Sequence, residues 1–235
     1  MSGVSSNQST FERLPMNSVS FDFNTLTPRE RYKILIGTVV PRPIALVSTV
    51  DREGRANAAP FSFFNCLSSD PAIVALGVEY SPSGHSKDTV RNIRDTGCFT
   101  VNVVSGSIMD EMNICAVPFD ASVDEIAEAG LTIAPGKAIA AGRIAEAPAA
   151  LECRLHSFLN IGESREIVLG EVVYAHFHEN AIDADKLYVD ATVLDAVGRM
   201  GGHGYATTRD YFELKTMSVA DYKAKTETTI EAKAS

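Results

Sequence analysis

The 235-residue chain reads as a mostly β protein, an antiparallel barrel with peripheral helices. Three observations predict this. Short apolar, β-prone runs dominate the middle and second half of the chain, several of them bounded by turn-forming residues. The helical patterns between them are spaced too irregularly for a repeating βαβ unit, which argues against a doubly wound parallel sheet. With 45% apolar and 22% charged residues, the composition is that of an ordinary globule able to bury a sizeable core in one domain.

The first element is a helix opening at Thr27-Pro28-Arg29-Glu30. Thr27 supplies the N-cap, Pro28 takes the first helical position, Glu30 completes a capping box, and Gly37 closes the helix. After the punctuation Pro41-Arg42-Pro43, residues 44–50 form a strand. It ends in Asp51-Arg52-Glu53-Gly54-Arg55, where Gly54 supplies a positive φ and turns the chain into a hairpin with a second strand over 57–64. A third strand over 72–78 is apolar on both faces, as a buried barrel position requires. Residues 87–96 switch to helical spacing, with Val90 and Ile93 on one side and Gly97 as the stop, and a strand over 98–104 follows.

Two short helices are expected next, at about 107–116 and 122–129, the second with a capping box from Ser122 to Glu125 and a stop at Gly130. The Ala/Gly/Pro-rich stretch 134–150 reads as irregular connection with one strand around 138–144. Strands over 151–159 and 167–177 then flank a turn at Gly162-Glu163-Ser164. In the second of these, alternation sends Val173, Ala175 and Phe177 inward and leaves His176 and His178 on a solvated face, so the pair is read as surface and not as a zinc site. Residues 1–20 read as a flexible arm, 21–218 as the folded domain, and 219–235 as a loose or frayed tail.

Composition excludes several function classes. The 21 Lys and Arg against 30 Asp and Glu leave a net charge of −9 with no basic cluster, which argues against nucleic acid as a partner. No stretch of about 18 uncharged apolar residues suggests a membrane span, and the polar, Ser-rich opening residues do not resemble a secretion signal. The 4 cysteines are scattered and form no C-x-x-C pair, so we expect no disulfide framework, no metal site, and a reducing, cytoplasmic compartment. A phosphate loop and a G-x-S-x-G nucleophile elbow are both missing. Gly198, Gly201, Gly202 and Gly204 surround Arg199 and His203 without the strand-to-helix setting of a dinucleotide fingerprint, and read as a tight, closely packed loop.

The strongest local signal is Ser81-Pro82-Ser83-Gly84-His85-Ser86-Lys87-Asp88-Thr89. It places small hydroxyl residues, a lysine and the start of a helix directly after a buried strand, an arrangement suited to one phosphate monoester. The alternative is purely structural, with Ser86 or Asp88 capping the helix in the absence of any ligand.

Taken together, the motifs resemble the flavin reductase-like proteins of the FMN-binding split-barrel superfamily. The matching residues are Pro41-Arg42-Pro43-Ile44-Ala45-Leu46-Val47-Ser48-Thr49, Gly54, Asn57-Ala58-Ala59-Pro60-Phe61-Ser62-Phe63-Phe64 and Asp70-Pro71. They continue through Lys87-Asp88-Thr89, Asn92-Ile93, the strand from Phe99 to Val103 and Leu169-Gly170-Glu171-Val172, and end in Gly198-Arg199-Met200-Gly201-Gly202 with Tyr205. The resemblance spans roughly residues 30 to 214 in family order. It implies a six-stranded antiparallel split barrel that forms a homodimer and holds FMN near the subunit interface.

By the same resemblance, Arg42, Ser48, Thr49, Ala59, Pro60, Phe61, Ser62 and Asn65 line the flavin. Ser86, Lys87, Asp88 and Thr89 fall on its phosphate side, with Arg42 as a second candidate cation. One departure stands out. Where many flavin reductases carry a Gly-Asp-His element, its histidine near the nicotinamide, this chain has Gly162-Glu163-Ser164-Arg165-Glu166; His156 and His203 are the substitutes on offer. The implied activity is an FMN-dependent oxidoreductase taking hydride from NADH or NADPH. The electrons would pass to free flavin, for a partner monooxygenase, or to a small aromatic such as a nitroarene. The alternatives are a flavoredoxin-like electron carrier serving protein partners without a nicotinamide site, and a non-enzymatic binding module on the same barrel.

Overall fold

The computed structural model describes residues 17–80, 87–119 and 123–224. Most of the expected N-terminal arm, the segment 81–86 with Ser86, the Ser122 cap and the end of the tail lie outside the described residues.

Helix α1 (Pro28–Thr38) opens with the expected capping box: Glu30 N donates to Thr27 Oγ1 at 3.3 Å, and Thr27 N donates to Glu30 Oε2 at 2.8 Å. Seven strands follow in one antiparallel sheet: β1 (Ala45–Val50), β2 (Ala56–Phe61), β3 (Phe64–Ser69), β4 (Ala72–Glu79), β5 (Cys98–Val103), β6 (Ala149–Ile161) and β7 (Arg165–Phe177). Their spatial order is β2-β1-β5-β6-β7-β4-β3. The two edge strands are consecutive in sequence, separated only by Ser62 and Phe63, so one bent segment serves both edges and closes the sheet on itself. Counted once, that segment makes this the six-stranded split barrel. The bend is held at Phe63, whose carbonyl accepts from Gly77 N at 2.7 Å.

Both faces of β1 are buried because each meets a different core. Ile44 and Leu46 pack outward with Val104, Ile108, Met112, Ile126 and Ile144, beneath α3 (Met109–Ile114) and α4 (Glu125–Glu128). Ala45 and Val47 face the barrel interior with Leu76, Phe99, Val101 and Val168, an interior capped by Val90 and Ile93 of α2 (Asp88–Thr96). This double burial explains the unbroken apolar run.

Several expectations are corrected. Gly37 lies inside α1, which runs one residue further; Gly201 packs closely against it, and a Cβ added to Gly201 would sit 3.2 Å from Gly37 Cα. The strand over 57–64 is two strands, and β3 went unread because its residues are nearly all exposed and carry no apolar alternation. The cap of α4 is Asp124, whose Oδ1 accepts from Ile126 N and Ala127 N.

The strand around 138–144 does not form. Instead Lys137, Ala138 and Ile139 turn their N–H groups onto the fully buried carboxylate of Glu152, at 2.6, 2.7 and 3.0 Å. Only the two-residue stretches Ile133–Ala134 and Arg143–Ile144 pair there. Finally, His176 is not solvated. A register shift between Val172 and Tyr174 breaks the alternation, so Ala175 faces out while His176 packs inward with Nε2 2.6 Å from Glu152 Oε1.

The glycine-rich segment is a tight hairpin, as expected. Strands Val197–Arg199 and Tyr205–Thr207 pair, and Arg42–Pro43 lies antiparallel to the first of them. A Cβ on Gly198 would fall 2.7 Å from Pro41 Cβ, so this close approach requires glycine. Among the described residues, no helix is long and apolar enough to cross a membrane.

Candidate functional site

A cleft of about 800 Å³ opens between α1, the Pro41–Pro43 segment, the β2–β3 bend and the β4–β7 side of the barrel, within the usual size range of small-molecule sites. Sequence places its floor directly. The bend carries Ser62 and Phe63 across the end of β4, and Gly77 makes room for it: a Cβ there would meet Phe63 Cβ at 3.0 Å. Phe63 is half-exposed, its ring centroid 6.3 Å from that of Tyr32 on α1, so the cleft has an aromatic wall.

Arg42 is built into this wall. Only 7% exposed, it donates from Nη1 to the carbonyls of Ile36 and Val39 at 2.6 and 2.8 Å, and from Nη2 to Met200 at 3.0 Å. It thereby satisfies carbonyls left free at the end of α1 and ties them to the glycine hairpin. Burial pushes its guanidinium pKa down from the ordinary value, offset in part by Tyr32. Its Nε–H is buried without a hydrogen-bond partner.

On the opposite wall, Lys87 is the N-cap residue of α2 and holds Nζ 5.5 Å from the centre of the Phe61 ring. A lysine has no acceptor with which to cap a helix, and it brings positive charge to the positive end of the helix dipole. The two add into one electropositive spot at the cleft.

The structure gathers Arg42, Pro60, Phe61, Ser62, Asn65 and Lys87 around the cleft. The other sequence candidates among the described residues lie elsewhere. Ser48 is buried and donates to Gly142 O at 2.6 Å; Thr49 accepts from Asn92 Nδ2 at 3.1 Å; Thr89 donates to Asn57 Oδ1 at 3.3 Å. Their hydroxyls are thus spent on internal bonds. Ala59 packs against the barrel interior, and Asp88 pairs with Arg91 on the surface at 2.7 Å. His156 and His203 are exposed and do not line the cleft.

Sequence reading missed Tyr32, Glu79, Arg165 and Glu166, which also line it. Glu166 is fully buried and ion-paired with Arg94, whose guanidinium stacks 4.7 Å from the centre of Phe158. The available signal was the charged pair Arg165-Glu166 at the start of a strand, directly after the Gly162-Glu163-Ser164 segment where the resemblance expects Gly-Asp-His. A second, smaller cavity of about 450 Å³ is lined by Ser105, Glu146, His178 and the Asp195–Arg209 pair, but none of the cleft's motif residues reaches it.

The flavin reductase like domain family matches residues 36–196 of this chain. A protein of Deinococcus radiodurans is 42% identical over 214 residues, covering 88% of this chain and 94% of its own length. Among solved structures, the 2-nitrobenzoate 2-nitroreductase NbaA of Pseudomonas fluorescens is 34% identical with a TM-score of 0.79, covering 86% of this chain and 98% of that one. Component B of the nitrilotriacetate monooxygenase of Bacillus cereus is 31% identical with a TM-score of 0.80, covering 84% and 99%.

Proposed function

Because the chain belongs to the flavin reductase-like family, we propose that it is an FMN-dependent oxidoreductase which takes hydride from NADH or NADPH and reduces a second small molecule. The observation that carries this reading is Lys87. A lysine at an N-cap disfavours the free helix, and a bound phosphate at that spot turns the same charge into an asset. In a protein of net charge −9, a phosphate dianion needs such a local cation. Phe61, Phe63 and Pro60 supply an apolar surface for the flavin ring.

Bound FMN would supply the hydride-accepting chemistry. The chain's own part is to hold the phosphate with Lys87, to brace the cleft wall with Arg42, and to keep water off one ring face with the Phe61–Phe63 segment. No protein acid or base is required for hydride transfer, consistent with both candidate histidines lying outside the cleft. The names of the two solved neighbours support a small aromatic such as a nitroarene as acceptor, or free flavin for a partner monooxygenase. Leu35, Val39 and Ile161 remain exposed at the cleft mouth, apolar surface that a second copy would cover in a homodimer.

The test is FMN titration followed by steady-state oxidation of NADH and NADPH, with 2-nitrobenzoate, nitrobenzene, free flavin or no acceptor. We expect FMN binding and acceptor-dependent oxidation. Folded protein that binds FMN yet oxidises neither nucleotide with any acceptor refutes the enzyme reading; failure to bind FMN refutes the site.

A further inference from the structure

Resting on that reading of the cleft, we propose that Arg165 is the specificity residue for the second molecule to enter, recognising an oxyanion, carboxylate or phosphate, that this molecule carries. Three cations among the described residues line the cleft: Arg42, Lys87 and Arg165. Arg42 is locked into backbone carbonyls and is only 7% exposed. Lys87 is assigned to the cofactor phosphate. Arg165 alone is left to meet a solute arriving from solvent.

Its setting suits that task. Arg165 is the first residue of β7 and lies directly across from Glu79, the last residue of β4, so strand pairing fixes the base of the side chain. Its guanidinium, 40% exposed, places Nη2 2.7 Å from Glu79 Oε1, and that carboxylate is itself 58% exposed. The remaining contacts of Arg165 are long, from Nη1 to Ser164 O and Oγ at 3.3 Å each. A guanidinium carries five N–H donors, and only one makes a short bond here.

An exposed ion pair of this kind is weak and readily exchanged for a better-matched anion, since a carboxylate entering the cleft can take two parallel N–H bonds at once. The neighbouring Glu166 does not compete, because its charge is held by Arg94. Directly after Gly162-Glu163-Ser164, where the family resemblance expects Gly-Asp-His, this chain therefore offers a planar guanidinium fork that selects by charge and shape.

The oxyanion has two possible sources: a carboxylate on an aromatic acceptor, or the pyrophosphate of the nicotinamide dinucleotide. The experiment compares wild type with Arg165→Gln, Arg165→Lys and Glu79→Gln. Its readouts are the ratio of kcat/KM for 2-nitrobenzoate over nitrobenzene, the KM for NADH, and calorimetric binding of 2-nitrobenzoate and of NADH.

Loss of a charge-assisted bond predicts that Arg165→Gln lowers the 2-nitrobenzoate preference about tenfold or more. Arg165→Lys should be intermediate, and Glu79→Gln, which frees the guanidinium, should raise the preference. If the dinucleotide is the source, the KM for NADH rises instead, by a similar factor with both acceptors. An unchanged ratio and an unchanged NADH KM in Arg165→Gln overturn the proposal. Should wild type show no turnover, the proposed activity fails on its own. Calorimetry with 2-nitrobenzoate and with NADH then decides: about tenfold weaker binding of either in Arg165→Gln supports the role of Arg165, and equal binding of both overturns it.

Discussion

Replacing Lys87 with alanine should move stability and cofactor affinity in opposite directions. Lys87 sits at the N-cap of α2, makes no side-chain cap, and holds its ammonium 5.5 Å from the centre of the Phe61 ring. In the protein without ligand, Lys87→Ala loses an exposed cation–π contact worth about 0.5 kcal/mol and relieves a charge–dipole conflict of similar size, so stability should change by less than ~0.5 kcal/mol. With FMN, the variant loses a charge-assisted hydrogen bond to phosphate, worth about 1.5–3 kcal/mol, or roughly ten- to a hundredfold in affinity. Riboflavin has no phosphate and should lose far less.

The assay is fluorescence titration of both flavins against wild type and Lys87→Ala, with urea unfolding in parallel. An unchanged ratio of FMN to riboflavin affinity would refute the reasoning and shift attention to the segment 81–86. A large stability loss would show that Lys87 serves the fold.

Two further outcomes test the packing of the barrel away from the cleft. Burial alone would push the Glu152 carboxyl up, but the bonds from His176, Lys137 and Ala138 outweigh it and hold its pKa below the ordinary value. A carboxylate depressed in the folded state stabilises above its unfolded value of about 4.3 and loses that contribution as pH falls through the folded value. Glu152→Gln should therefore cost about 3 kcal/mol in urea unfolding at pH 7, with the gap narrowing below about pH 4; a gap that stays constant down to pH 3 would contradict this account. Gly170→Ala would drive a methyl group into the Phe99 ring inside the barrel, with Cys153 Cβ 3.2 Å away on the other side, and should cost about 1–3 kcal/mol. A neutral result would show that the interior can yield there.

Local signals that act over a few residues were legible in the sequence because their physics is local. The Thr27–Glu30 box, the positive φ of Gly54, the helix stop at Gly97, the turn at Gly162, and the apolar runs of β1 and β4 need no distant partner to be recognised. The joint order of the motifs likewise carried the family. What sequence could not show is which member of a motif faces the cleft. Ser48 and Thr49 belong to the same matched stretch as Arg42, yet strand pairing on both flanks turns their hydroxyls into the interior, while Arg42 is drawn to the carbonyls closing α1.

The misreadings share one cause. The register shift after Val172 rotates His176 onto a buried carboxylate whose other partners lie 13 to 15 residues away in sequence, and no periodicity in β7 announces it. Strand β3, almost wholly exposed, has no apolar pattern and exists because the sheet has an open edge for it to close. Arg165 and Glu166 are adjacent in sequence, but alternation leaves one partly exposed and buries the other. The sequence by itself thus determined the locally signalled elements, the fold class and the family. Only the tertiary structure decided which side chains meet at the cleft, because that depends on register between distant strands, and register is set by packing across the whole barrel.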